Sequence, residues 1–212
     1  MSDILSELTA VHREVGLRTI PAGKGHTVVL RRTYDADIDD VWDAITSAER
    51  INRWFLPISG DLRLGGTYRL EGNASGEILE CEPPRRLKVT WVYGADPAPE
   101  DAGEVEARLS PAGDGRTLLE LEHAMVKDPA RWAEYGPGDV GVGWDLAVLG
   151  LGRHLAGGSM ADADKAAWMR STEGREFMSG SSDAWGEANR AGGASETEAA
   201  AAVANTTKAY AG

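Results

Sequence analysis

The stretch that decides the fold is DLRLGGTYRLEGNASGEILECEPPRRLKVTW, residues 61–91. Apolar and polar residues alternate along it, which is the period of a β-strand with one buried face. Gly65-Gly66 predicts a tight hairpin between strands at Asp61–Leu64 and Thr67–Glu71. The stretch therefore predicts antiparallel β-structure.

The same alternation continues on both sides of this stretch. Pro83-Pro84 and the acidic, proline-rich loop Ala95–Ala102 interrupt it, because proline cannot continue a central strand. Successive strands joined by short turns form an antiparallel meander. The further strands expected are His26–Tyr34, Gly76–Glu82, Leu87–Tyr93, Glu104–Leu109 and Arg116–His123.

Apolar residues at helical spacing predict helices before the meander. A short helix is expected over residues 3–16, ended by Gly16. A pair of helices follows the first strand: Asp37 is the expected N-cap of one, and Ala48–Trp54 forms the other, which Pro57 ends. The apolar stripes are Ile4, Leu8, Val11 and Val15 in the first helix and Ile38, Val41, Trp42 and Ile45 in the second.

A longer helix is expected after the meander, with Trp144, Ala147, Val148, Leu151 and Leu155 on one face. Its glycines suggest a close approach of its backbone to the sheet or a frayed first turn, and the apolar residues on its second face need a further cover. Residues 157–212 are rich in small residues but carry aromatic ones, which are scarce in solvated tails. Two or three short helices are therefore expected, near residues 162–172, 173–191 and 195–210, folded onto the domain or onto a partner subunit, with Gly192–Ser195 as a joint.

Composition and charge exclude several classes of function. The chain has 212 residues and a formal net charge of −12, which argues against nucleic-acid partners and anionic membranes. One cysteine, Cys81, excludes an intramolecular disulfide and a cysteine-rich metal site. No apolar stretch approaches a membrane span, and the first residues lack the apolar core of a signal peptide. A cytoplasmic protein is the expectation.

Three stretches together resemble one known family. They are YDADIDDVWDAITSAERINRW at Tyr34–Trp54, the DLRLGGTYRL hairpin, and the segment GEILECEPPRRLKVTW. They resemble the family related to the heat-shock-protein-90 ATPase activator, within the START-like (SRPBCC) superfamily. The resemblance implies an α+β helix-grip fold, in which a curved antiparallel β-sheet wraps around a long C-terminal helix in the order β-α-α-β-β-β-β-β-β-α.

The expected domain organisation follows from the extent of this resemblance along the chain. Residues 1–25 form an N-terminal helix and linker, residues 26–156 the START-like domain, and residues 157–212 a helical C-terminal extension. Since fold does not fix function, the site must be argued from side chains.

Candidate catalytic and metal-binding groups are few. The four histidines form no metal-binding motif, no nucleophile elbow or phosphate-binding loop occurs, and no cofactor is expected. Cys81 is expected on the apolar face of its strand, the same face as Leu79. A buried cysteine of this kind is interpreted as an unreactive core residue. His123 is interpreted as a hydrogen-bonded residue at a strand end, with a polar contact to a ligand as the alternative. A catalytic pair of His123 with Glu106 or Glu120 is disfavoured because alternation directs both glutamates outward.

The aromatic side chains carry the functional hypothesis. They come from different elements but are directed inward, and a cavity wall of aromatic residues with a few polar groups is typical of small-molecule pockets. The favoured hypothesis is a non-catalytic protein that binds a small apolar molecule. A chaperone-associated interaction protein and a polyketide cyclase- or hydrolase-like enzyme stay open as alternatives, and a homodimer is a further expectation. The expected ligand-binding residues are Trp54, Phe55, Tyr68, Trp91, Tyr93, His123, Trp144, Val148 and Leu151.

Overall fold

The computed structural model describes residues 4–94, 103–158 and 162–212. Its centre is one eight-stranded antiparallel sheet in the order β1-β2-β8-β7-β6-β5-β4-β3. The expected loop Ala95–Ala102 lies outside the described residues. The strands are β1 Val11–Ile20, β2 Gly23–Tyr34, β3 Ile58–Gly60, β4 Thr67–Leu70, β5 Ala74–Glu82, β6 Arg86–Tyr93, β7 Gly103–Pro111 and β8 Thr117–Met125.

The helices complete an α+β helix-grip fold, as the sequence predicts. The long helix α5 packs its apolar face against the curved sheet, and the pair α2–α3 closes one end. The pairing of β2 with β8 brings the first and last strands of the expected domain side by side. The helices are α1 Ile4–Thr9, α2 Ile38–Thr46, α3 Ala48–Trp54, α4 Pro129–Tyr135, α5 Gly138–Leu155, α6 Asp162–Arg170, α7 Thr172–Ala191 and α8 Glu196–Ala211.

The helix predicted over residues 3–16 is wrong beyond Thr9. The chain continues instead as the edge strand β1, which pairs with β2 from Val11↔Arg32 to Ile20↔Gly23. Val11 and Val15 are four residues apart, a spacing that fits one face of a helix and also one face of a strand. Pairing along the whole of β1 decides between the two.

The predicted hairpin at Gly65-Gly66 exists, but its first strand is misplaced. Ile58–Gly60 pairs with β4, whereas the predicted strand Asp61–Leu64 is a compact turn. A Cβ atom on Gly66 would lie 2.0 Å from the carbonyl oxygen of Asp61, so the turn closes only around glycine.

The C-terminal extension folds onto the same chain. The expected helical structure is confirmed there as α6, α7 and α8, and Trp185 of α7 is fully buried. A Cβ atom on Gly141 of α5 would lie 2.3 Å from the Trp185 indole. The glycine at this position therefore allows close packing of α5 against α7 rather than against the sheet. The second apolar face of α5 is covered by residues from both ends of the chain: Leu149 packs with Leu8 and Phe177.

A buried charged cluster joins these parts. Arg13 of β1 faces inward, and its Nε lies 3.0 Å from Asp145 Oδ2 of α5. Ser181 and Trp185 of α7 donate hydrogen bonds to the same oxygen. Burial raises the pKa of the Asp145 carboxyl, while Arg13 opposes that shift. The cluster thus links the edge strand, the central helix and the extension.

The outer face of the sheet is a ladder of ion pairs. Glu104 and Glu106 of β7 are almost fully buried there among basic residues from neighbouring strands. In the part of the chain that the structure describes, no helix combines the length and apolarity needed to span a bilayer.

Candidate functional site

A cavity of about 160 Å³ lies between the concave face of the sheet and α5. The alternation of β6, β7 and β8 directs Val89, Val105 and Leu121 into it, and the helical face of α5 closes it from the other side. Seven of the nine predicted site residues line it: Trp54, Phe55, Tyr68, Trp91, Trp144, Val148 and Leu151.

Most polar atoms of the lining are already engaged in hydrogen bonds, whereas the buried Nε1 of Trp91 has no partner among the described residues. Tyr68 donates its hydroxyl to the carbonyl oxygen of Thr90 at 2.7 Å, and burial raises the pKa of this phenol well above its ordinary value. Thr46 donates to the carbonyl oxygen of Trp42 at 2.7 Å. Cys81 lies among apolar side chains. The cavity surface is therefore apolar in character.

Cys81 reaches the cavity through a strand irregularity. The register between β5 and β6 shifts between Ile78 and Glu80, so Leu79 has no partner in the ladder. The shift places Ile78 on the same face as Cys81. The expectation that Cys81 faces inward is confirmed, whereas the expectation that Leu79 accompanies it is wrong, because a bulge breaks strict alternation.

His123 is buried beside the cavity rather than in its wall. Its side chain is directed to the concave face, where Trp144 Nε1 donates to its Nδ1 at 3.1 Å. Burial, with a smaller effect from Lys127, lowers the pKa of His123 to about 3. The imidazole is therefore neutral at pH 7, and its Nε2 has no hydrogen-bond partner among the described residues.

Tyr93, the ninth predicted residue, lies in an outer cleft of about 450 Å³. Its side chain is 48% exposed, and Lys127 Nζ lies 5.8 Å from the centre of its ring. Arg131 and Lys127 both contact Asp139 in the same cleft. Tyr93 thus borders a polar surface, separated from the interior by Trp91 and Trp144.

Phe55 separates the interior cavity from the outside. Its ring stacks on Trp54 at 5.3 Å and faces Trp144 at 6.5 Å between centroids. It borders the interior cavity and also two outer clefts, the polar one and one of about 590 Å³ on the other side. The ring therefore forms part of the wall between the interior cavity and both outer clefts.

The sequence did not identify several lining residues. Alternation could have found Leu87, Val89, Leu119 and Leu121, and the stripe of the second predicted helix could have found Ile45. Ile58 and Leu62 sit in the segment whose strand was misplaced, and no sequence pattern pointed to them. The missed lining residues include Ile45, Ile51, Ile58, Leu62, Leu70, Ile78, Leu87, Val89, Val105, Ala107, Leu119, Leu121 and Ala147.

The glutamates considered as partners of His123 lie on the opposite face of the sheet. Glu120 pairs with Arg31 and Arg108, and Glu106 pairs with Arg86 and Arg108. The sheet itself separates them from the imidazole, as the alternation predicts. Among the described residues, no group of three or more histidine, cysteine or acidic side chains could hold a metal ion.

Comparisons with known proteins place these features in context. A family model described as Activator of Hsp90 ATPase homolog 1-like protein matches residues 35–156. The crystal structure of CalU16 from Micromonospora echinospora is 42% identical, covers 85% of this chain and 99% of that chain, and has a TM-score of 0.68. Its solution structure is 43% identical, with coverages of 86% and 97% and a TM-score of 0.71. The match to CalU16 extends beyond the residues that the family model spans.

A more distant likeness shows the fold alone. PFC0360w, an HSP90 activator from Plasmodium falciparum, is 21% identical over 62% of this chain and 96% of its own, with a TM-score of 0.53. A search of curated proteins finds no match.

Proposed function

The chain belongs to the family of Activator of Hsp90 ATPase homolog 1-like proteins, and on this premise we propose that it binds a small, largely apolar molecule in the interior cavity. The observation that carries the proposal is the cavity itself, placed between the sheet and α5 and walled by aromatic and aliphatic side chains. Small-molecule pockets are usually lined by apolar and aromatic side chains with only a few polar groups.

The size of the cavity supports a ligand group about as large as one aromatic ring. Its volume of about 160 Å³ is close to the roughly 150 Å³ of an engineered apolar cavity that stays dry and takes up benzene. A larger ligand would have to displace Phe55 and continue into an outer cleft. The interior therefore selects the apolar end of the ligand.

Binding is favoured over catalysis by the state of the polar groups. Tyr68 stays protonated and bound to a backbone carbonyl, and the buried His123 stays neutral and bound to Trp144. A general acid–base mechanism needs a group whose pKa lies near the working pH and that reaches the substrate. Neither residue supplies one in this cavity.

Thermal denaturation with benzene and indole as probes tests the proposal. Binding to the native state alone raises the unfolding free energy by about 2.7 kcal/mol when the ligand is at one hundred times its Kd. We expect a concentration-dependent rise in Tm together with a change in tryptophan fluorescence, since Trp91 and Trp144 face the cavity. An unchanged Tm with both probes at saturation of their solubility would contradict the proposal.

Two expectations about macromolecular partners stay predictions. A chaperone partner is supported by the name of the family and by the net charge of −12, which would attract a basic surface. A homodimer is supported by nothing beyond the sequence argument, because the tail aromatics cover α5 within one chain. Pull-down from a native lysate and native mass spectrometry test them separately.

A further inference from the structure

A second cleft, of about 590 Å³, lies outside the interior cavity between α3, α5 and α6. We call it the basic cleft and define it by four residues of its rim: Arg53, Arg153, His154 and Lys165. Its volume falls within the roughly 300–1,000 Å³ of small-molecule sites. Part of its wall comes from α6, which lies outside the residues matched by the family model.

The floor of this cleft is apolar. Leu149 is almost fully buried beneath it, whereas Met169 is 38% exposed at its edge. A concave apolar surface of this kind binds the hydrocarbon or ring portion of a ligand. The apolar residues that line it are Trp54, Phe55, Leu56, Leu146, Ala147, Leu149, Trp168 and Met169.

The rim is basic in a protein of net charge −12. Among the lining residues that the structure describes, every ionisable side chain is an arginine, a lysine or a histidine. Burial, followed by Arg50 and Arg53, lowers the pKa of His154, so the positive charge at pH 7 comes from the arginines and the lysine.

The acidic partners of the two arginines lie on the solvent side. Arg53 pairs with Glu49, whose side chain is 78% exposed, and Arg153 Nη2 lies 3.8 Å from the partly exposed Glu173. Exposed pairs of this kind are weak and exchange partners readily. Both arginines can therefore turn to an anion in the cleft.

Aromatic and backbone contacts position Arg153 and Lys165 beside the cleft. The Arg153 guanidinium lies over the Trp168 ring at 4.6 Å from its centroid, which orients it at the cleft wall. Lys165 Nζ donates to the carbonyl oxygen of Phe55 at 3.0 Å. Through this contact α6 is fastened to the residue that separates the cleft from the interior cavity.

From the apolar floor and the basic rim together we infer that the basic cleft binds a small amphipathic anion, an aromatic or aliphatic acid whose ring or chain lies on the floor and whose anionic group contacts Arg53 and Arg153. The site goes beyond the interior cavity, because its basic groups and the α6 part of its wall do not line that cavity, although Trp54, Phe55 and Ala147 border both spaces.

A matched pair of fluorescent probes tests the inference. 8-Anilinonaphthalene-1-sulfonate carries the anion, and N-phenyl-1-naphthylamine is the same ring system without it. We expect the sulfonate to bind and the double variant Arg53→Glu/Arg153→Glu to weaken it about tenfold, the effect of losing two charge contacts. The uncharged probe should change by less than about twofold, since it does not use the charges.

Two controls separate this site from general surface charge and from the interior cavity. Arg175→Glu makes the same kind of charge reversal at one exposed arginine of α7 outside the cleft, half the charge change of the double variant, and should leave sulfonate binding unchanged. Ala107→Leu reduces the interior cavity and should also leave it unchanged, so failure of the interior proposal and failure of this one give different results.

The outcomes are decisive in both directions. Equal weakening of both probes in the double variant, or undiminished sulfonate binding, would overturn the inference. Circular dichroism verifies that each variant is folded. If the double variant does not fold, the single variants Arg53→Gln and Arg153→Gln replace it, and each must weaken only the sulfonate.

Discussion

Trp144 donates its indole N–H to Nδ1 of His123 at 3.1 Å, and this bond fastens α5 to β8 at the end of the interior cavity. Since Nδ1 accepts, the proton of the neutral ring is on Nε2. The side chain of His123 is 1% exposed, so taking up a second proton would bury an uncompensated charge.

The depressed pKa of His123 predicts a loss of stability on acidification. The unfolded chain takes up a proton near pH 6.5, whereas the folded protein resists until about 3. The protein therefore keeps its full stability with respect to this group above pH 6.5, and the unfolding free energy falls as the pH decreases toward 3, by on the order of 5 kcal/mol over the whole window. Urea denaturation of the wild type between pH 7 and pH 4 measures the slope.

His123→Asn is the variant that isolates this residue. The asparagine oxygen keeps an acceptor for Trp144, but the side chain does not titrate. We expect a shallower decline between pH 6.5 and pH 4, where His26 and His154, whose pKa values are also lowered by burial, still contribute. Equal slopes in the two proteins would mean that His123 is accessible to protons in the native state.

The Arg13–Asp145 pair predicts an asymmetric response to mutation. Asp145→Asn leaves a guanidinium buried, and arginine cannot lose its proton, so we expect a loss of about 3–5 kcal/mol. Arg13→Met leaves a carboxyl whose pKa is already raised by burial and which can become neutral, so it should cost less. Glu49→Gln, in the exposed pair with Arg53, should cost less than about 1 kcal/mol. Chemical denaturation gives all three values, and a smaller loss in Asp145→Asn than in Arg13→Met would contradict this account.

The buried Trp185 predicts that the C-terminal extension stabilises the whole domain. It is fully buried against α5 and hydrogen-bonded to Asp145. Trp185→Ala should lower the unfolding free energy by about 3–5 kcal/mol, as large deletions in a core do. Trp132→Ala removes a half-buried indole that stacks on His26 and should cost less. A small effect of Trp185→Ala would show that the extension folds separately from the domain.

Two identical substitutions separate cavity space from packed core. Ala107 lines the interior cavity, so Ala107→Leu should fill it and raise stability by about 1 kcal/mol. Ala124 is fully buried in β8 outside the cavity lining, so Ala124→Leu should overpack the core and cost about 1–3 kcal/mol. Thermal denaturation of both variants measures the difference. Destabilisation of similar size in the two would show that the space beside Ala107 is filled.

Much of this fold is predictable from local patterns. The strands β5 to β8 follow from alternation, and the helices of the extension follow from aromatic residues among small ones. Val11 and Val15 show where such patterns fail, because their spacing fits a helix and a strand equally and only pairing with β2 resolves it.

The site was predictable in part for a similar reason. Periodicity identifies which face a residue is on, so it predicted that Trp91, Trp144 and Val148 face inward, which is where the structure has them. It does not give depth along the sheet, and so it did not separate the wall of the cavity from His123 behind it or from Tyr93 at the outer cleft. The basic cleft depends on the position of α6, which no local pattern provides.

The most direct test of the central claim is the location of xenon in a crystal of the protein pressurised with the gas, because xenon enters empty apolar cavities. The account predicts an anomalous peak between the sheet and α5, in contact with Leu121 and Val148, and its loss in Ala107→Leu. Well-ordered crystals in which no xenon occupies that space would contradict the claim that the interior holds room for an apolar ligand.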